Sequence, residues 1–335
     1  MGADQYGRPV FHTEFHSGDV PAFRIARWTA DLGRLPTPDR PFGFDLVGSG
    51  FTDADAGALA ALRSLAVLNL ASNQVSGATL KALAGLPQLQ TLGLAYTPIT
   101  NRDLADLAGM RSLRNLALGY THLSGDDLGA LATLKELRAL DLNHTAITNG
   151  ALKTVAALPH LQSLNLFATR TTDDGPAALA PLSELKTLNV GSVKQMTDAG
   201  LKDIGRLTSL QLIDLDYAKV TDDGLKHLAA LTNLQTLYLP STKVTGTGFT
   251  NLAGLKQLQS LVLAGDAVTD ETLKPVCNLT NLVRLDLNRT SVTDAGLPGL
   301  AAIKGLQILS VMRTPVTEQG AARLEQAVPG LVVHH

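Results

Sequence analysis

Leu282-Val283-Arg284-Leu285-Asp286-Leu287-Asn288-Arg289-Thr290-Ser291-Val292-Thr293-Asp294-Ala295-Gly296-Leu297 joins two local patterns. Leu285 and Leu287 flank Asp286 at period two, so both leucines fall on one face of a short strand and the aspartate on the other. Thr293 is then followed by an acid. A threonine at this point can accept a hydrogen bond from an unpaired N–H of a first helical turn, and an acid beside it suits the positive end of the helix dipole. The stretch predicts strand, turn and short helix.

The same order returns along the chain, at Leu65/Leu68/Leu70, Leu89/Leu92/Leu94, Leu113/Leu116/Leu118, Leu137/Leu140/Leu142, Leu161/Leu164/Leu166 and Leu185/Leu188/Val190. After one inserted residue near Lys194-Gln195 it continues at Leu210/Ile213/Leu215, Leu234/Leu237/Leu239, Leu258/Leu261/Leu263, Leu282/Leu285/Leu287 and Leu306/Leu309/Val311. The step is 24 residues, or 25 across the insertion, and a degenerate first copy at Phe44 and Leu46 makes twelve units. In the helical part Leu225, Leu228 and Leu231 face inward, with Ala229 small enough for close approach to the sheet. Helices of about two turns are unstable alone in water, so the units must stack. Three residues past the strand stand Thr97, Thr121, Thr145, Thr169, Thr242, Thr290 and Thr314, with Ser49, Asn73, Val193, Ala218 and Asp266 as exceptions. A hydroxyl in this slot is expected to bond the turn backbone.

With L-x-x-L-x-L-x-x-T-x-V-T-D-x-G-L in view, the chain resembles the leucine-rich repeat family, and in detail its bacterial, planctomycete-type 24-residue variety, over roughly 44–333. The resemblance implies an α/β leucine-rich-repeat solenoid, a horseshoe with a parallel concave sheet and short convex helices. It also implies a protein-interaction module that binds on the concave sheet, as in family members and in secreted effectors that recruit host machinery. The family offers no catalytic residue to carry over.

Composition agrees with repetition. At 335 residues the chain is long for one ordinary core, while aromatics are 4% and aliphatic residues dominate an apolar fraction of 45%. Lys+Arg 28 against Asp+Glu 30 gives a net charge of -2, so no nucleic-acid partner is expected. One cysteine excludes an intrachain disulfide framework. No apolar run is long enough to span a membrane and no signal peptide is recognisable, so a soluble chain is expected, cytoplasmic or secreted after loss of a leader; oligomeric state is left open.

The expected division is an aromatic-rich cap over 1–43, repeats over 44–328, and a short cap strand over 329–335. Within the first part Asp19-Val20-Pro21 reads as a helix start, Ile25, Trp28 and Leu32 as one face, and Gly33 as the end.

Candidate chemistry is sparse. His12, Glu14 and His16 would share a strand face, but HExxH is absent and Phe11 and Phe15 suit a cap segment, so no metal is expected. Cys277 aligns with small helix residues such as Ala84, Ala229 and Ala253 and reads as a small hydrophobe packed on the sheet rather than a nucleophile. No catalytic constellation and no cofactor loop emerge, so a non-enzymatic protein is expected.

The outward strand positions are freer, because the fold does not fix them. They bring Tyr96, Tyr120 and His144 into one column beside Asn143 and Phe167, with Asp141 between paired leucines. A second patch, Asp214, Asp216, Tyr217 and Tyr238, is acidic and aromatic, and Arg289 and Arg313 make the far end basic. Four of the five tyrosines fall in these lanes. Tyrosines favour interfaces, so these residues are the candidate partner-binding surface of a scaffold for a protein. The alternatives are a carbohydrate or small-ligand receptor, and the recognition part of a larger effector or enzyme.

Overall fold

A computed structural model describes residues 20–29 and 39–335, together with the backbone of an antiparallel pair, Gly2–Ala3 and Pro9–Val10. His12, Glu14 and His16 lie outside the described residues. The chain forms two compact units, residues 1–170 and 171–335.

In the first unit the parallel strands are Ala22–Arg24, Phe42–Asp45, Leu65–Asn69, Thr91–Gly93, Asn115–Ala117, Ala139–Asp141 and Ser163–Asn165. In the second they are Thr187–Asn189, Leu212–Asp214, Thr236–Tyr238, Ser260–Val262, Arg284–Asp286, Ile308–Ser310 and Val332–His334. Sequence neighbours pair with leucine opposite leucine, as in Leu92↔Leu116↔Leu140 and Leu237↔Leu261↔Leu285. Each repeat folds as strand, turn and short helical segment, the solenoid architecture expected from the period. The repeated leucines are sealed from water: Leu68, Leu92, Leu140, Leu237 and Leu285 are all 0% exposed. The inserted residue near Lys194 leaves the sheet in register, since Leu188 pairs with Ile213. The turn absorbs it by a Met196 N–H to Val193 carbonyl bond of 2.9 Å, and the Met196 side chain is buried.

The helical segments are shorter and more mixed than expected. Gly77–Leu83, Asn149–Val155 and Asp198–Ile204 are α-helical, whereas Asn101–Gly109 and Thr247–Leu252 are 3-10. The longest helix among the described residues, Glu318–Ala327, has ten residues and stands in the last repeat. No helix among the described residues is long and apolar enough to cross a membrane.

The helix expected to start near Asp19 is corrected where the chain is described. Ala22–Arg24 is a strand, with Phe23 opposite Phe44, and the Ile25 N–H continues the ladder to the Asp45 carbonyl at 2.9 Å. Pairing with an open sheet edge gives these N–H and C=O groups partners that a short isolated helix would supply only weakly. Trp28 packs edge-on against Phe51, with centroids 5.1 Å apart.

The threonines serve two purposes. In the slot past the strand, the hydroxyls of Thr97, Thr121, Thr145, Thr290 and Thr314 donate to the carbonyl three residues back at 2.6 to 2.7 Å, as expected from the sequence. At the helix start, the acid after one threonine reaches the next repeat. Asp173 accepts from the Thr197 N–H at 2.7 Å and hydroxyl at 2.6 Å. Asp198 does the same for Thr221, Asp222 for Thr245, Asp270 for Thr293 and Asp294 for Thr317. The glycine of T-D-x-G makes room for this bond: a Cβ on Gly200, Gly224, Gly296 or Gly320 would collide with the incoming carboxylate oxygen.

Gly248→Ala is therefore expected to lower stability by about 1–3 kcal/mol, because its Cβ would come 2.6 Å from the Asp222 carbonyl oxygen. Gly57→Ala, in the helix Ala56–Ala60 with open space around it, should raise stability by about 0.5–1 kcal/mol. Chemical denaturation of both variants checks the contrast. Burial opposes ionisation of Asp222, but hydrogen bonds from Gly248, Thr245 and Gly246 outweigh it and hold the carboxyl below its usual range. Its contribution is thus present above the ordinary carboxylate pKa of about 3.9 and is lost as pH falls through the lower folded value. Thermal unfolding of Asp222→Asn should show lower stability than wild type at neutral pH and a smaller drop on acidification.

Candidate partner-binding face

One backbone feature organises the open face of the sheet. Two residues past the second strand leucine, the chain takes a left-handed conformation in every repeat. Its occupants are Gly48, Ser72, Tyr96, Tyr120, His144, Ala168, Ser192, Tyr217, Ser241, Gly265, Arg289 and Arg313, with φ between 51° and 78°. For a residue with a Cβ this costs roughly 1–2 kcal/mol. Hydrogen bonds to the following repeat hold it: Tyr96 N–H to the Gly119 carbonyl at 3.0 Å, Tyr120 N–H to Asn143 at 2.9 Å and His144 N–H to Phe167 at 2.8 Å. The strand ladder thus runs on through the turn.

In the first unit this lane carries an aromatic column. Tyr96 and Tyr120 stack with centroids 4.1 Å apart and planes 14° from parallel, and Tyr120 and His144 repeat the arrangement at 4.1 Å and 17°. Phe167 closes the row from the adjacent lane, 5.4 Å from His144 and tilted by 50°. Tyr120 is therefore sandwiched on both faces, while Tyr96 is stacked on one and is 55% exposed. Burial pushes the Tyr120 hydroxyl up to about 12, with a hydrogen bond to the Tyr96 hydroxyl adding to the shift. Burial also pulls the His144 pKa down, so the stack favours the neutral imidazole.

Beneath the column lies a polar support. Asp141 accepts the Asn143 backbone N–H at 3.0 Å, and the Asn143 side-chain amide donates to both of its oxygens at 2.7 and 2.8 Å. That amide lies over Gly119, where a Cβ would clash with it. Burial pushes the Asp141 carboxyl up to about 6.

The candidate residues therefore divide. Tyr96, Tyr120, His144, Tyr217, Arg289 and Arg313 are exposed, and Asn143 and Phe167 are half-buried. Asp141, Asp214, Asp216 and Tyr238 are 2–4% exposed, which corrects the expectation that they line the surface. The reason lies in the sheet itself: at strand spacing each side chain is flanked by the residue in the same register on both neighbours. Asp214 sits between Asn189 and Tyr238 in this way, accepting from the Asn189 amide at 3.1 Å and from the Asp216 N–H at 2.9 Å. The acidic half of the second patch is thus internal structure, and Tyr217 and the arginines are its accessible part.

Cys277 is half-buried, its thiol raised by burial and lying 3.6 Å from the Leu273 carbonyl; a Cβ on Gly299 of the next repeat would be 3.0 Å from the sulfur. That is a packing position, though less enclosed than expected. No group of three or more His, Cys, Asp or Glu among the described residues could hold a metal ion. In the sequence Asp266 stands out only as an exception in the threonine slot. It is a buried acid, 3% exposed, and the only acid in that slot signals the anomaly.

A leucine-rich repeat region model matches residues 97–247, and a leucine rich repeat model matches residues 44–99. No curated protein matches the sequence. Among solved structures, an internalin from Listeria monocytogenes is similar with a TM-score of 0.61 and 22% identity over 83% of this chain and 82% of that one. A Leptospira interrogans leucine-rich-repeat protein gives 0.60 and 20% over 93% and 81%. The mouse RP105/MD-1 complex gives 0.63 and 19% over 85% of this chain and 48% of that one. At such identities the likeness is one of fold. The period, the in-register leucines and these family matches agree, and the chain is a leucine-rich-repeat protein.

Proposed function

We propose that this chain is a non-enzymatic scaffold that binds a protein partner on the open face of its sheet, in the first unit through the column Tyr96, Tyr120, His144 and Phe167. The observation that carries this reading is the column itself: three stacked rings and a tilted fourth on a surface where most other repeats carry small or polar residues. A stack of this kind presents edges and hydroxyls in a fixed geometry, so little side-chain freedom is lost when a partner docks. Asn143 supplies amide groups beside it, and Asp141 acts as the buried brace of that amide rather than as a contact. In the second unit Tyr217, Arg289 and Arg313 are the accessible candidates, with Asp214, Asp216 and Tyr238 buried in the repeats around Tyr217.

Leucine-rich-repeat proteins are generally binding modules, and the mouse RP105 relative is seen in complex with MD-1. The T-x-V-T-D-x-G-L signature further supports the planctomycete-type variety. The carbohydrate reading has narrower support, because stacking on a sugar needs an open ring face and, of the two stacked tyrosines, Tyr120 has both faces covered and only Tyr96 keeps one free.

Two measurements follow. In an alkaline absorbance titration one tyrosine should ionise near pH 12, later than an ordinary tyrosine at about 10, and Tyr120→Phe should remove that late phase. Once a partner is captured, replacing Tyr96 and Tyr120 together by Ala should weaken its binding by about 30-fold or more, as for interface hot spots, with little change in thermal unfolding. A dissociation constant equal to that of the wild type would refute the open-face site.

A further inference from the structure

Asp266 occupies the slot three residues past the second strand leucine. In five other repeats a threonine hydroxyl in that slot donates to the carbonyl three residues back at 2.6 to 2.7 Å, while Val193 and Ala218 fill it without a donor. Asn73, in the same slot, uses its amide NH2 on the carbonyls of Leu46 at 2.7 Å, Leu70 at 3.0 Å and Ala71 at 3.2 Å. Its Oδ1 accepts from the Phe51 N–H of the preceding repeat at 3.0 Å.

Asp266 also accepts from the preceding repeat, but at another position: Phe51 lies two residues past the slot of its repeat, whereas Thr242 is the slot residue itself. Its Oδ1 accepts from Thr242 of the preceding repeat, the N–H at 2.6 Å and the hydroxyl at 3.1 Å. The backbone is placed as in its counterparts, with the Asp266 N–H on the Leu263 carbonyl at 3.2 Å and the Thr290 N–H on the Leu287 carbonyl at 3.3 Å. The second oxygen, Oδ2, is buried without a hydrogen-bond partner. An ionised oxygen there would be a buried acceptor with nothing to stabilise it, in a slot from which threonine and asparagine elsewhere supply a donor to the turn carbonyls. A carboxylic O–H would supply that donor.

We propose that Asp266 is held in the folded protein as a neutral carboxylic acid standing in for the asparagine or threonine of this slot, and that its ionisation weakens the turn at 263–266. Its position makes it a pH-sensitive element of the second unit, beside the left-handed positions Ser241 and Gly265 of the open face. Burial is the main force keeping the proton on, Thr242 works against it, and the charges of Asp216 and Asp222 add to burial, placing the group at about 8. A folded pKa above the ordinary carboxylate value of about 3.9 means that the unfolded chain releases the proton first. Stability from this group is therefore full below that value, declines as pH rises from about 4 to about 8, and changes no further above it.

Thermal unfolding of wild type and Asp266→Asn between about pH 5 and pH 9 tests this. Asn keeps the acceptor and supplies a permanent donor. The variant should lose much of the wild-type decline and be the more stable protein at about pH 8, with the advantage shrinking toward about pH 5. Asp141 contributes equally to both curves, so their difference isolates Asp266. A constant offset at every pH would mean a packing role alone and would overturn the proposal. Should the variant not fold, the Asp266 carboxyl carbon resonance of the wild type decides: a midpoint above neutrality supports the protonated acid, and one in the ordinary carboxylate range refutes it.

Discussion

The bond from the aspartate of one repeat to the threonine that opens the helix of the next is the constraint on which this architecture rests. A helical segment of one or two turns leaves most of its N–H groups without intrahelical partners. Its own cap can satisfy only one or two of them. In most repeats the neighbouring repeat supplies the missing acceptor, so the start of the helical segment is completed by stacking. In three repeats that lack the preceding aspartate the acceptor comes from within, while Ser124 takes it from Asn101 of the repeat before. Asp103 turns back to the Thr100 N–H at 2.8 Å in the repeat that follows Ser76-Gly77, and the Thr272 hydroxyl serves Thr269 in the repeat that follows Thr245-Gly246. Asp55 does so for Thr52 in the first copy. The position two residues past the acid follows the same logic. It is glycine at Gly200, Gly224, Gly296 and Gly320, where a carboxylate arrives from the repeat before; Thr79 instead donates to the arriving Asp53, and the position holds Asp103 or Thr272 where none arrives.

On the opposite side of each repeat, the left-handed residue spends conformational energy on a fixed exit from the strand. Because its N–H continues the ladder, the strain is held by the same inter-repeat bonds that hold the sheet. Side-chain identity at this position is then free of the fold, and the occupants range from glycine to tyrosine and arginine. That freedom is what allows three consecutive repeats to carry Tyr96, Tyr120 and His144 at a spacing that stacks their rings. The centroids approach to 4.1 Å, closer than strand spacing of about 4.8 Å, which requires the rings to lean along the row.

Much of the fold was legible in the sequence because period two and period 24 each encode a single physical demand, burial of one strand face and stacking of identical units. Thr97 and its counterparts were legible for the same reason, a hydroxyl within reach of its own turn. The direction of the aspartate bond was not, since a carboxylate beside a helix start satisfies the dipole whether it serves its own turn or the next repeat. The column Tyr96, Tyr120, His144 and Phe167 could be placed from register alone. The burial of Asp141, Asp214, Asp216 and Tyr238 could not, because alternation assigns a face but says nothing of how far flanking side chains in the same row close over it. The strand at Ala22–Arg24 was missed because an open sheet edge, which rewards pairing, has no signature in the segment that fills it.

These departures share a cause. In a stack of units the partner of a residue is commonly about 24 positions away, so its role is set by the sequence of the adjacent unit. Asp266 shows the consequence in its sharpest form. Taken alone it is an ordinary acid in a turn. Placed in a slot from which threonine and asparagine donate in other repeats, with Thr242 already on one oxygen and the other oxygen closed off from water, its chemistry is set by its neighbours. The fold can accept such a residue because one oxygen is held by Thr242, and because the slot also tolerates Val193 and Ala218, which donate nothing.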